Sequence, residues 1–173
     1  MTDTPGAEKD NRKPRRWLAW ARDLALLAVA VVAVQWWQAR DLAYGAAPPL
    51  VGHMLDGKPF QLEPEQGPYL VHFWAEWCPV CRLEQGSIAA IAADHPVITV
   101  ATNSGTPTEV AAHLAREGVR FPVLMDETGA IARQWGVSGV PAAFIVGTDG
   151  VISHAGVGYS TEYGLRLRLW LAD

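Results

Sequence analysis

Residues 69–81 constrain the fold more than any other stretch. Tyr69-Leu70-Val71-His72-Phe73-Trp74 is a run of aromatic and branched side chains with the character of a buried strand. A helical pattern follows from about Pro79 to Ala93, and both cysteines of the chain, Cys78 and Cys81, lie where strand gives way to helix. A buried strand feeding directly into a helix requires a layered α/β architecture.

The rest of the chain extends that alternation. Val51 to Leu55 and Pro59 to Leu62 flank Asp56-Gly57, a type I′ hairpin signal. Residues 97–102 read as a second buried strand, and Thr106-Pro107-Thr108-Glu109 opens a helix that Gly118 stops. A short strand at 123–125 and a short helix at 129–135 follow, the latter ended by Gly136. Strands at 142–146 and 151–155 close on Gly147-Thr148-Asp149-Gly150, and Ser160-Thr161 caps a last helix to about Leu171. The expected order is hairpin, β, α, β, α, β, α, β, β, α, with a central parallel pair and an antiparallel closing hairpin. This is a mixed central sheet flanked by helices. Trp135 and Trp170 are expected in its core.

Ahead of this domain, residues 1–16 are polar and basic, and residues 17–38 are apolar except for Arg22, Asp23, Gln35 and the terminal Gln38. That length suits a membrane span, and Trp17 and Trp20 at one end match Trp36 and Trp37 at the other as an aromatic belt. The flanking cations put the N-terminus in the cytoplasm and the remainder across the membrane. A cleaved signal peptide is the alternative. The sequence thus divides into a cytoplasmic tail at 1–16, a transmembrane anchor at 17–38, a linker at 39–49 and a globular domain at 50–173. Charge divides likewise: residues 1–40 carry seven Lys/Arg against four Asp/Glu, and residues 41–173 seven against fourteen. So acidic a body repels a phosphate backbone, and nucleic acid is not an expected partner.

Two Cys separated by two residues fit half a zinc site, a redox pair or coincidence. Zinc wants four ligands, and neither a second such pair nor a close His pair exists, so no metal site is assigned. Placement favours the redox pair. Cys78 falls at a helix N-terminus, where unpaired N–H groups and the dipole favour a thiolate, and Pro79 suits the first helical position. Cys81, one turn in, is expected to be more buried and to keep its proton longer. One accessible attacker and one sheltered resolver are what thiol–disulfide exchange requires.

Phe73-Trp74-Ala75-Glu76-Trp77-Cys78-Pro79-Val80-Cys81 resembles the active-site segment of the thioredoxin superfamily. Gly136-Val137-Ser138-Gly139-Val140-Pro141 resembles that family's second signature, in which the proline is cis. The resemblance covers about residues 50–173. The anchor and Glu84 point to the membrane-tethered TlpA/ResA/CcmG-like branch, and the Pro79-Val80 dipeptide to the suppressor-of-copper-sensitivity D (ScsD) type. The resemblance implies a thioredoxin-like fold and an oxidoreductase with no cofactor, in which Cys78 attacks client protein disulfides and Cys81 resolves. Val140 and Pro141 would bind the client's extended backbone, and Trp77, Pro79 and Val80 would border it. It further implies a single-pass protein of the bacterial inner membrane with its domain in the periplasm, a reductase recharged by a membrane electron donor of the DsbD/CcdA type.

Three departures from the family pattern bear on mechanism. His72 replaces the buried Asp that thioredoxins carry on the strand before the cysteines; it is either a proton relay for Cys81 or a core histidine bonded to a neighbour. Glu84 matches the acid of the tethered branch, as a buried base or a solvated carboxylate, but Gln85-Gly86 breaks the usual Glu-x-Pro. Ala142-Ala143 replaces the Glu-Thr common after the cis proline of CcmG-like proteins, which argues against apocytochrome c as client. Cytochrome c maturation and Cu(I) binding by the two thiolates for copper tolerance are the competing functions.

Overall fold

The computed structural model describes residues 13–64 and 67–172. Two compact units divide the chain, residues 1–36 and 37–173.

The basic tail expected over residues 1–16 lies outside the described residues as far as residue 12. Helix α1 runs from Lys13 to Ala39, 27 residues or about 40 Å at 1.5 Å per residue. Its Trp17–Val34 window is long and apolar enough to cross a membrane, and none of the window is buried.

The second unit contains β1 (Gly45–Ala46), β2 (Val51–His53), β3 (Pro59–Gln61), β4 (Tyr69–Trp74), α2 (Pro79–Ala92), β5 (Val97–Thr102), α3 (Pro107–Glu117), β6 (Val123–Asp126), α4 (Ala130–Gln134), β7 (Ala142–Val146), β8 (Val151–Val157) and α5 (Glu162–Leu171). Six strands form one sheet in the order β1-β8-β7-β4-β5-β6, and β2 and β3 form a separate hairpin. β4 is central, parallel to β5 and antiparallel to β7. This is the expected thioredoxin-like arrangement.

Alternation along β4 explains how the sheet holds two cores. Val71 and Phe73 point into one, where Phe73, Trp135 and Phe144 meet with ring centroids 5.0–5.7 Å apart. Leu70 joins Ile88 and Ile91 of α2 and Leu165 and Leu169 of α5 in another cluster, and Trp74 packs with Cys81, Val110 and Leu114. His72 lies between Leu70 and Trp74 in that alternation. Helix ends follow local chemistry: Thr106 and Glu109 form a reciprocal capping box on α3, and Gly118 closes that helix with φ of 67°.

Three expectations need correction. The supposed linker is part of the domain: Leu42 and Leu50 are buried, and β1 pairs with β8. Small residues and a Pro pair look like a spacer, but two flanking leucines give the segment something to bury. The Asp56-Gly57 turn is not type I′, because Gly57 alone of the two takes a positive φ, 82°. The Asp56 side chain instead accepts from the Lys58 N–H at 3.1 Å. Trp170 is not core but 71% exposed. On α5 the inward positions fall to Leu165 and Leu169, and Trp170 follows on the outside.

Candidate active site

Strand β4 delivers the chain to a tight connection in which the Cys78 N–H donates to the Ala75 carbonyl at 3.2 Å. Cys78 then caps α2 with extended backbone, φ −87° and ψ 110°, and Pro79 begins the helix without an N–H to satisfy. The Cys81 N–H donates to Cys78 Sγ at 3.1 Å. A disulfide joins the two residues, their Cα atoms 5.3 Å apart. Cys78 is 4% exposed and Cys81 wholly buried, so the expected difference in access exists but is slight in the oxidised state.

The second signature faces this bond. The Val140-Pro141 peptide is cis, and the Val140 carbonyl oxygen lies 3.7 Å from Cys78 Sγ. Trp77, 59% exposed, donates its indole N–H to the Asn103 carbonyl at 3.0 Å. Trp77 and Asn103 border a cavity of about 90 Å³ against Val137, Ser138, Gly139 and Val140. Val80 and Leu83 leave large apolar surface open on the first turns of α2. Disulfide, cis proline and apolar rim thus share one place, with a small pocket beside them.

The two ionisable candidates lie inside the protein. Glu84, one turn past Cys81, is fully buried, and its Oε1 accepts a hydrogen bond from the Ser160 N–H. Its Oε2 faces Nε2 of the buried His72 at 3.7 Å. Burial raises the Glu84 carboxyl to about 7, with the Ser160 N–H pulling the other way. Burial lowers His72 to about 4. Glu84 is therefore no solvated helix carboxylate, and His72 lacks the satisfying neighbour of an ordinary core histidine: neither ring nitrogen has a hydrogen-bond partner.

Two features escape the sequence reading. Ser160 reaches Glu84 through its backbone alone, which no side-chain pattern signals. Gln85, buried, is hydrogen-bonded to the buried His113 of α3 at 3.0 Å, with the Trp74 ring 5.5 Å from the imidazole. Gln85 stands four residues after Cys81, the helical spacing that would have marked it. Ala142 and Ala143, after the cis proline, are both buried. Among the described residues no three His, Cys, Asp or Glu converge as metal ligands.

A family profile described as Redoxin matches residues 43–165. The "Thiol:disulfide interchange protein DsbE" of Allochromatium vinosum is 41% identical over 91 residues, 51% of this chain and 50% of that protein. The "Thioredoxin-like protein" of Haemophilus influenzae is 29% identical over 122 residues, 69% of this chain and 72% of that protein. The chain thus spans about half the length of the Allochromatium relative. A crystal structure of a thiol:disulfide interchange protein of the thioredoxin family from Chlorobium tepidum matches with TM-score 0.65 and 26% identity, covering 76% of this chain and 98% of that one.

Proposed function

The chain belongs to the Redoxin family, and we propose that it is a protein thiol–disulfide oxidoreductase acting on client protein disulfides as a reductase. The observation that carries this reading is the placement of Cys78. It combines a helix N-terminus, a backbone N–H donated to its sulfur and, at 3.7 Å, the carbonyl of Val140, the residue before the cis proline. In the reduced protein the Cys81 N–H and the N-terminal end of α2 stabilise a Cys78 thiolate. That thiolate attacks a client disulfide, displacing one client sulfur as thiolate and forming a mixed disulfide. Cys81 then gives up its proton and attacks Cys78 Sγ, and the client's second sulfur leaves. Both client thiolates take protons from water, and the protein is left with the Cys78–Cys81 disulfide.

Val140 offers the client an extended backbone, while Trp77, Pro79 and Val80 supply apolar contact around the cysteine. Glu84 accepts the Cys81 proton, since a carboxyl raised to about 7 gains and loses a proton near neutral pH. The Trp17–Val34 segment is read as a single-pass anchor in the bacterial inner membrane, with the domain in the periplasm. In that oxidising compartment reductase turnover requires a membrane donor of the DsbD/CcdA type.

The test is insulin-disulfide reduction by the full chain in detergent, with dithiothreitol as the electron source. Cys78→Ser should abolish activity and Cys81→Ser should accumulate a mixed disulfide; intact activity in Cys78→Ser overturns the assignment. Thiol trapping in cells then reads direction. A reduced pair that becomes oxidised when the membrane donor is deleted supports the reductase, and a pair oxidised in both strains refutes it.

A further inference from the structure

His72 and Glu84 present an unusual pairing in the protein interior. His72 occupies the middle of β4, in register with Thr99 on β5 and Ala143 on β7. Glu84 comes down from α2, on the buried face that also carries Cys81. Nε2 and Oε2 face each other at 3.7 Å, both without a hydrogen-bond partner. Buried polar atoms left unpaired cost about 1–3 kcal/mol each, so such a site needs an explanation. A proton placed between these two atoms would satisfy both, once a small side-chain movement closed the gap.

We propose that His72 and Glu84 hold one exchangeable proton between them and that this pair stores the proton released by Cys81. The proposal deepens the exchange reaction above and rests on it. His72 is a positioning residue: its Nε2 accepts from protonated Oε2, while Nδ1 keeps its own hydrogen.

Three occupancies are conceivable, and burial selects among them. With no shared proton the pair carries one negative charge, with one it is neutral, and with two it carries a buried positive charge. Desolvation opposes both charged forms, holding Glu84 up to about 7 and His72 down to about 4. The pair is therefore loaded singly, and it loads and unloads near neutral pH. In the cycle, Cys81 hands its proton to the empty pair as it attacks Cys78 Sγ. When a donor dithiol later reduces the disulfide, Cys81 leaves as thiolate and takes that proton back, while the donor's two protons go to water.

The surroundings leave this titration to the pair. α2 carries Arg82 near its start, and Asp94, just past its end, is joined to Arg166 and that in turn to Glu162 on α5. His154 of β8 shares the sheet face of His72 across Ala143 and Gly156, with Arg168 near it. On α3, His113 is bonded to Gln85, and on β6, Asp126 is bonded to Thr102. Among the described residues none of these is ion-paired to His72 or Glu84.

The test is reduced-minus-oxidised infrared difference spectroscopy of the full chain in detergent, from about pH 5 to about pH 9, on wild type, Glu84→Gln and His72→Gln. Oxidation should bring up a protonated-carboxyl band that Glu84→Gln lacks. Its midpoint should fall by about one pH unit or more in His72→Gln, whose amide donates to the carboxylate and stabilises it. Resolution of a peptide disulfide preformed on Cys78 should slow about tenfold at neutral pH in either variant, and no further in the double variant. A band absent from wild type, an unchanged midpoint in His72→Gln, or single effects that multiply in the double variant would overturn the pair. The band is read on folded wild-type protein, so a variant that fails to fold does not shelter the proposal. Absence of any mixed disulfide on Cys78 would instead sink the oxidoreductase reading itself.

Discussion

Gly136 and Asp41 touch backbone to backbone: a Cβ built on Gly136 would overlap the Asp41 carbonyl oxygen. Gly136 also holds φ of 69°, a conformation that L side chains rarely take. Two residues along, Ala43 donates its N–H to the Trp135 carbonyl at 3.0 Å. The segment after α1 is thereby seated on the start of the loop that ends at the cis proline. Gly136→Ala should lower stability by about 2–4 kcal/mol, from strain plus displacement of that segment. Leu42→Ala, which empties a buried site beneath the same loop, should cost about 2–5 kcal/mol. Denaturant midpoints of the full chain in detergent measure both, and unchanged values would show that the segment does not brace the loop.

The pH dependence of stability separates the buried pair into its members. Glu84 titrates at about 7 when folded against an ordinary 4.5, and His72 at about 4 against 6.5. Between 4.5 and 6.5 the folded and unfolded chains each hold one proton at these two sites, so stability is nearly flat with respect to them. In Glu84→Gln only His72 remains, and the unfolded chain binds the extra proton. Stability should then fall as pH drops from 6.5 towards 4, by about 3 kcal/mol. In His72→Gln the folded chain holds the extra proton, and stability should fall as pH rises above 4.5, by about 2 kcal/mol or less because the amide lowers the Glu84 midpoint from its wild-type value of about 7. Unfolding curves across this range check the opposite slopes; equal slopes in the two variants would contradict them.

Trp77 has an exposed ring face and one hydrogen bond to the Asn103 backbone. Trp77→Ala should therefore change stability by less than about 1 kcal/mol. It should raise KM for insulin several-fold and alter kcat less, because the client contact proposed for this ring lies outside the sulfur chemistry. Steady-state reduction assays decide this. A large loss in kcat with unchanged KM would move Trp77 from client contact to control of Cys78.

Trp170 lies open on α5, and Trp170→Ser should leave stability within about 0.5 kcal/mol. Trp135→Ser, by contrast, should lose about 3–5 kcal/mol, because the buried Trp135 ring packs tilted against Phe73 and edge-on against Phe144. Thermal unfolding of the two variants distinguishes a surface tryptophan from a core one.

What the sequence disclosed followed from periodicity and junctions. The apolar run of β4, the Thr106-to-Glu109 start of α3 and the Cys78-Pro79 start of α2 are local patterns with local causes, and all stand in the structure. Composition misled where it resembled a spacer: Gly45-Ala46-Ala47 is a poor strand former in isolation, yet pairing with β8 makes Gly45 and Ala46 a strand. Trp170 misled through its size, because the phase of α5 outweighed the hydrophobicity of a single ring. At the site, Cys78 and Cys81 were legible from spacing and position. The approach of His72 to Glu84, twelve residues apart in sequence, depends on how α2 folds back over β4, and no linear pattern encodes that distance.

The borders of the sheet carry a further consequence. On one side β1 is only two residues long and is followed by Pro48-Pro49, which have no N–H to offer a neighbour. On the other, Met54 bridges to Leu124 and the Leu55 N–H donates to the Val123 carbonyl at 2.8 Å, so the β2–β3 hairpin shields β6. Copies crowded on a common surface would meet edge to edge far more often than in free solution. Short, proline-tipped and self-covered margins deny them a template for strand-by-strand polymerisation.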